Sequence, residues 1–176
     1  PIQAPLDALE ILLKRHRFSP SQVSQVVVRV AAAEATIVDN REIPDICLQH
    51  LIALMLVDGT VSFRSAHDAA RMKDPAVLTE RAKVRLVHDE QLEQLMPRRE
   101  AVVEVLLADG AKLSERVGNV RGTAENPMTR DEVAAKARDL MAPVIGAEGC
   151  QKLIDRVFSL ETLRNVLDLR PLLRKS

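Results

Sequence analysis

Between Ile46 and Val57 the only polar residues are Gln49 and His50, so a helix over this stretch is apolar on nearly every side and has to lie inside a domain. It is too short to span a bilayer. Pro44 and Asp45 precede it, with the Asp45 carboxylate in an N-cap position, and Gly59 supplies a residue that tolerates a left-handed stop. The pattern predicts a buried central helix with a polar mouth at its N-terminal end.

The flanking stretches carry weaker periodicities. Leu6, Leu9, Leu12, Leu13 and His16 follow helical spacing from Pro5 to Phe18, and Ser19-Pro20-Ser21 breaks the run. Val26, Val28 and Val30 alternate with Val27 and Arg29 as a β-branched strand, and Ala31 to Arg41 reads as a loop. Ser65 to Met72 reads as a short helix, and Asp74-Pro75 opens another through Ala82. Val84 and Leu86 mark a second strand, while Glu90 to Met96 fits a helical turn and a loop equally well.

Ala101 to Val117 reads as a β-hairpin around Asp109-Gly110. A two-residue loop would set Glu104 opposite Glu115, a like-charge pair that costs stability. A three-residue loop over Ala108-Asp109-Gly110, with the glycine left-handed, sets Val105 opposite Leu113 instead and is preferred. Thr129 and Glu132 form a capping box at a helix start, with Val133, Ala137, Leu140 and Met141 as its apolar stripe and Pro143 and Gly146 as its close. Cys150, Leu153, Ile154 and Val157 mark a further helix, Leu160, Leu163, Val166 and Leu167 a last one, and Arg174-Lys175 a basic tail. The expected fold is therefore α+β: about four mostly antiparallel strands packed against a buried central helix, with additional C-terminal helices.

Length and composition narrow the function. The 176 residues suit one domain with a full core. Twenty-five basic and 25 acidic residues balance, so no net field draws the chain to nucleic acid or an anionic membrane. The absence of Trp and Tyr removes the platforms on which single-stranded bases stack. Cys47 and Cys150 fall in apolar helical patterns and read as buried free thiols. With no leader and no membrane-length apolar run, a cytoplasmic location is expected. The chain enters a helical pattern directly at Pro1 without an initiator Met, the expectation for a piece of a longer protein.

The histidines His16, His50, His67 and His88 lie in no zinc-ligand spacing, and neither a Gly-rich phosphate cradle nor a nucleophile elbow is present. No metal or cofactor is expected. A satisfied core histidine is the simpler reading of His50, against a polar face that it shares with Gln49 and turns toward a ligand. Asp45 reads first as a helix cap and second as an acid, and Arg41 with Glu42 as a solvated surface pair.

An ordered series of segments carries a resemblance. Leu56-Val57-Asp58-Gly59, Thr60-Val61-Ser62-Phe63, Asp74-Pro75-Ala76-Val77-Leu78, Lys83-Val84-Arg85-Leu86, Leu107-Ala108-Asp109-Gly110 and Glu125-Asn126-Pro127-Met128-Thr129-Arg130-Asp131-Glu132 together resemble the C-terminal half of the MmgE/PrpD family, from about Gln3 to Leu173. That family includes 2-methylcitrate dehydratase, cis-aconitate decarboxylase and iminodisuccinate epimerase. The resemblance implies a lid domain that closes over an N-terminal helical domain, which this chain lacks. It also implies cofactor-independent proton transfer next to a carboxylate of a small polycarboxylate substrate, and homodimerisation.

Many relatives carry His where Gln3 stands, and Lys or Arg where Asp45 stands, followed by an aromatic residue or His and then Ser in place of Ile46 and Cys47. Asp45 would repel a substrate carboxylate unless a cation pairs with it. No catalytic residue can be carried over by position. Gln3, Asp45 and Gln49 are the substrate-facing candidates, and the fragment alone is expected to be inactive. The alternative is a non-catalytic α+β interaction or small-molecule-sensing module derived from the same family.

Overall fold

A computed structural model describes residues 1–174, so Lys175 of the basic tail lies outside the described residues. The chain divides into two compact units, Pro1–Asn126 and Pro127–Ser176.

The first unit is a four-stranded sheet with helices. Its elements are α1 (Gln3–His16), β1 (Val23–Val30), α2 (Ala32–Val38), α3 (Leu48–Asp58), α4 (Phe63–Ala66), α5 (Pro75–Arg81), β2 (Val84–His88), α6 (Glu90–Glu93), β3 (Ala101–Leu107) and β4 (Lys112–Val117). The strand order is β2-β1-β3-β4, with β1 parallel to β2 and both other pairings antiparallel. A parallel pair cannot be joined by a tight turn. The long crossover from Val30 to Val84 meets that need, and it is the segment that contains α3.

Alternation along β1 and β3 turns Val26, Val28, Val30, Ala101, Val103 and Val105 to one face, where all are buried. Ala8, Leu9 and Leu12 of α1 and Leu48, Ile52, Met55 and Leu56 of α3 complete the same core. Every residue of α3 from Leu48 to Leu56 is buried, because Leu51, Ala53 and Leu54 meet Val77 of α5 on a second side. Each fully buried Leu or Ile here contributes on the order of 2 kcal/mol. Gly59, at φ 74°, closes the helix as its left-handed C-cap. The hairpin has the expected register, Val105 opposite Leu113, with Gly110 at φ 88° in the three-residue loop.

In the first unit three local readings are corrected and one left open is decided. Asp45 does not cap α3: it sits in a separate 3-10 turn, Pro44–Ile46, and Cys47 holds the N-cap position without a side-chain bond. Ala31 to Arg41 is not a loop throughout, since α2 occupies it. Alanine's helix propensity and the burial of Glu34, Ala35 and Val38 supply what a search for large apolar side chains overlooks. The helix read over Ser65–Met72 is two pieces, α4 and a 3-10 turn at Ala69–Lys73, because Asp68 caps a new start through the Ala70 amide. Glu90–Met96, left between two readings, begins with α6, capped by Asp89.

The second unit is dominated by α7 (Arg130–Phe158), which starts at the expected Thr129/Glu132 capping box. Gly146 is non-helical at φ 76°, so two helical segments meet at a kink where the sequence places a stop. Cys150 and Ile154 pack with Ala134 across that kink. The final helix read from Leu160 to Leu167 is instead two 3-10 segments, Leu160–Thr162 and Val166–Leu173, and Asn165 caps the second. No helix among the described residues is long and apolar enough to cross a membrane.

Candidate functional site

Two polar regions of the first unit hold the sequence candidates. The first lies against the N-terminal half of α1. Helical spacing puts Gln3, Asp7, Glu10 and Ile11 along one side of α1, facing the segment that leaves β4. The cleft there encloses about 490 Å³ and is lined by Asp7, Glu10, Arg116, Arg121 and Glu125 among others. Gln3 Nε2 donates to the Arg121 carbonyl at 2.6 Å, and the Arg121 amide donates to Asp7 Oδ2 at 2.9 Å. Burial pushes the Asp7 carboxyl above its ordinary value, more strongly than the Arg121 amide and charge hold it down. Arg116 is fixed in turn by Glu100, whose Oε2 accepts from Arg116 Nε at 3.1 Å and from its terminal nitrogen at 2.8 Å.

The second region is the mouth of α3. Asp45 Oδ2 stands 3.7 Å from His67 Nε2. The His67 ring stacks on Phe63, with centroids 4.1 Å apart, and its Nδ1 donates to the Phe63 carbonyl at 2.7 Å. That carbonyl can only accept, so the hydrogen bond places the proton on Nδ1 and leaves Nε2 toward Asp45. A cationic partner thus stands beside Asp45 whenever His67 is protonated.

Gln49 is buried, and its amide ties α3 to the turn after α2. Its Nε2 donates to Asp39 Oδ1 at 2.6 Å and its Oε1 accepts from the Asn40 amide at 2.9 Å. His50, the next residue, is fully buried, and neither ring nitrogen has a hydrogen-bond partner. Burial lowers its pKa below the ordinary 6.5, and the charges of Arg81 and Arg71 lower it further. Arg71 reaches Asp58 at 2.7 Å and Asp74 at 3.2 Å, while its Nε is buried without a partner.

The fold therefore gathers Asp45, Gln49 and His50 about one helix end and sets Gln3 beside a different cleft. Asp7, His67, Arg71 and Arg81 escape a reading of the sequence, because each gains its meaning from a partner far along the chain or from burial. For Asp7 the only local signal is its place on the same side of α1 as Gln3. Among the described residues, no three or more His, Cys, Asp or Glu side chains gather in a way that would hold a metal ion.

Compared with known protein families, residues 1–160 match the MmgE/PrpD C-terminal domain. No curated protein matches the chain.

Proposed function

The chain belongs to the MmgE/PrpD family through its C-terminal domain, and from that premise we propose that it is the lid of a cofactor-independent lyase or isomerase acting on a small polycarboxylate. The lid completes its site against an N-terminal helical domain. The observation that carries this reading is the α1 cleft, where a carboxyl pushed upward by burial stands beside Arg121, in a lining that also holds Arg116, Glu10 and Glu125. A carboxyl of that kind exchanges protons closer to neutral pH than an exposed one. Arginines beside it suit a substrate carboxylate and the enolate-like charge that forms when the adjacent carbon loses a proton. Closure of a lid over the substrate excludes water and strengthens both effects.

The test is proton exchange and turnover of small polycarboxylates, followed by NMR in deuterated water, for the full-length protein carrying a helical domain and for residues 1–176 alone. Exchange is expected from the former and none from the latter. Asp7→Asn in the full-length protein should lower kcat by about tenfold or more while leaving the fold intact. Turnover by the isolated 176 residues, or wild-type kinetics in Asp7→Asn, contradicts the assignment.

A second reading, a non-catalytic interaction or small-molecule-sensing module, is favoured by the internal bonds of Gln3 and Gln49 and the pairing of Asp45 with His67. Binding of a partner or small molecule by a full-length protein that shows no exchange selects it.

A further inference from the structure

β2 is an outer strand of the sheet, and its far side is open. Its register on β1 runs from Val26 opposite Val84 to Val30 opposite His88. Two bonds frame it, from the Val26 amide to the Lys83 carbonyl at 3.0 Å and from the Asp89 amide to the Val30 carbonyl at 2.9 Å. Backbone groups alternate in the side to which they point, so Arg85 and Val87 turn N–H and C=O toward β1, while Val84, Leu86 and His88 turn theirs away from it. No backbone or side-chain group among the described residues bonds to the amides or carbonyls of these three. Val84 and Leu86 pack against the main core, which holds the strand in place, and Arg85 and His88 are exposed.

A row of unbonded donors and acceptors along a sheet edge is a template for another strand, and native edges are ordinarily blunted by lysine, proline or a bulge. β4, the opposite edge, carries Lys112 and Arg116. β2 reads Val-Arg-Leu-Val-His, without lysine or proline, and its pairing with β1 runs without a bulge. Its side chains decide which strand fits. An antiparallel copy of β2, related by a two-fold axis at Leu86, sets Leu86 opposite Leu86, Val84 opposite His88 and Arg85 opposite Val87. No like charges meet. Val84, Leu86 and His88 each exchange both bonds with the residue opposite, so every free group on the edge is satisfied. A two-fold axis at Arg85 would set two guanidiniums against each other, and one at Val87 would leave Val84 unpaired.

We propose that the free edge of β2 is a dimer interface, at which a second copy of this chain adds its own β2 in the antiparallel sense. The two sheets then continue as one, in the order β4-β3-β1-β2-β2-β1-β3-β4. β2 lines no part of the α1 cleft. The open edge and its self-matching sequence carry the interface by themselves, so it holds whether or not the chain is the lid of an enzyme.

The test is sedimentation velocity of the 176-residue chain across a concentration series, with amide hydrogen exchange measured at each concentration. Dimer should grow with concentration, and protection of the Val84, Leu86 and His88 amides should rise with it, while the Arg85 and Val87 amides, bonded to β1, stay protected throughout. Val87 points to the face of the sheet away from the main core, so substitutions there leave the fold in place. Val87→Glu sets a carboxylate opposite the partner's Arg85 twice in each dimer and should tighten association by about fivefold, and Val87→Arg sets like charges there and should weaken it by about as much. A chain that stays monomeric to millimolar concentration, a dimer whose three edge amides exchange as fast as the monomer's, or looser association in Val87→Glu overturns the proposal. Protection of those amides in a monomeric full-length protein also overturns it, because another part of the same molecule then covers the edge.

Discussion

His50 sets the strongest residue-level expectation. Its folded pKa lies below the ordinary value, so between the folded value and about 6.5 the unfolded chain binds a proton that the native chain does not. Stability from this residue is complete above pH 6.5 and is lost as pH falls toward the folded value. Urea midpoints measured from pH 7.5 down to 5 should decline in the wild type, and the decline should be shallower in His50→Leu. Leucine also removes two unpartnered polar atoms, so at the acid end the variant should match or exceed the wild type. An identical slope in both proteins would show that His50 titrates alike in the folded and unfolded chains, and that burial does not lower its pKa. Asp45 teaches the complementary lesson. Its place before an apolar run reads as a cap, but the backbone enters α3 one turn later through Cys47, and the carboxylate is left for His67.

At the scale of elements, the best-signalled starts and stops are those in which side chain and backbone bond within four residues. Thr129 accepts from the Glu132 amide at 3.2 Å while the Glu132 carboxylate takes the Thr129 amide at 2.8 Å. Thr129→Ala should destabilise the second unit by about 1 kcal/mol. Thermal melts followed by helical circular dichroism would register this, and an unchanged melt would argue that α7 draws its stability from its packing alone. The two helices read with wrong bounds, Ser65–Met72 and Leu160–Leu167, fail for the same local reason. Each contains a polar side chain that restarts the backbone within the run, Asp68 in the first case and Asn165 in the second.

For the whole molecule, the important fact is that each unit closes its own core. The main cluster and its satellite around Leu51, Leu54 and Val77 draw on residues no later than Val120, and the cluster around Cys150 draws on residues from Ala134 onward. Residues 1–126 expressed alone should therefore retain the four-stranded sheet, with protected amides in β1, β3 and α3 by hydrogen exchange. Loss of that protection would mean that the second unit is needed to hold the sheet together.

The α+β class, the buried helix, the hairpin register and the Thr129 capping box were legible in the sequence because periodicity, turn chemistry and short-range bonding express them within a few residues. The resemblance carried by the ordered segments likewise survives in the family to which the chain belongs. What only the tertiary structure decided is which polar groups meet. It paired β1 with β2 in parallel through a crossover more than fifty residues long, set Asp7 under the Arg121 amide, and buried His50 within reach of the charges of Arg71 and Arg81 from later segments. Burial and long-range approach have no local periodicity, and those two quantities fix whether a histidine in an apolar helix is packing or chemistry.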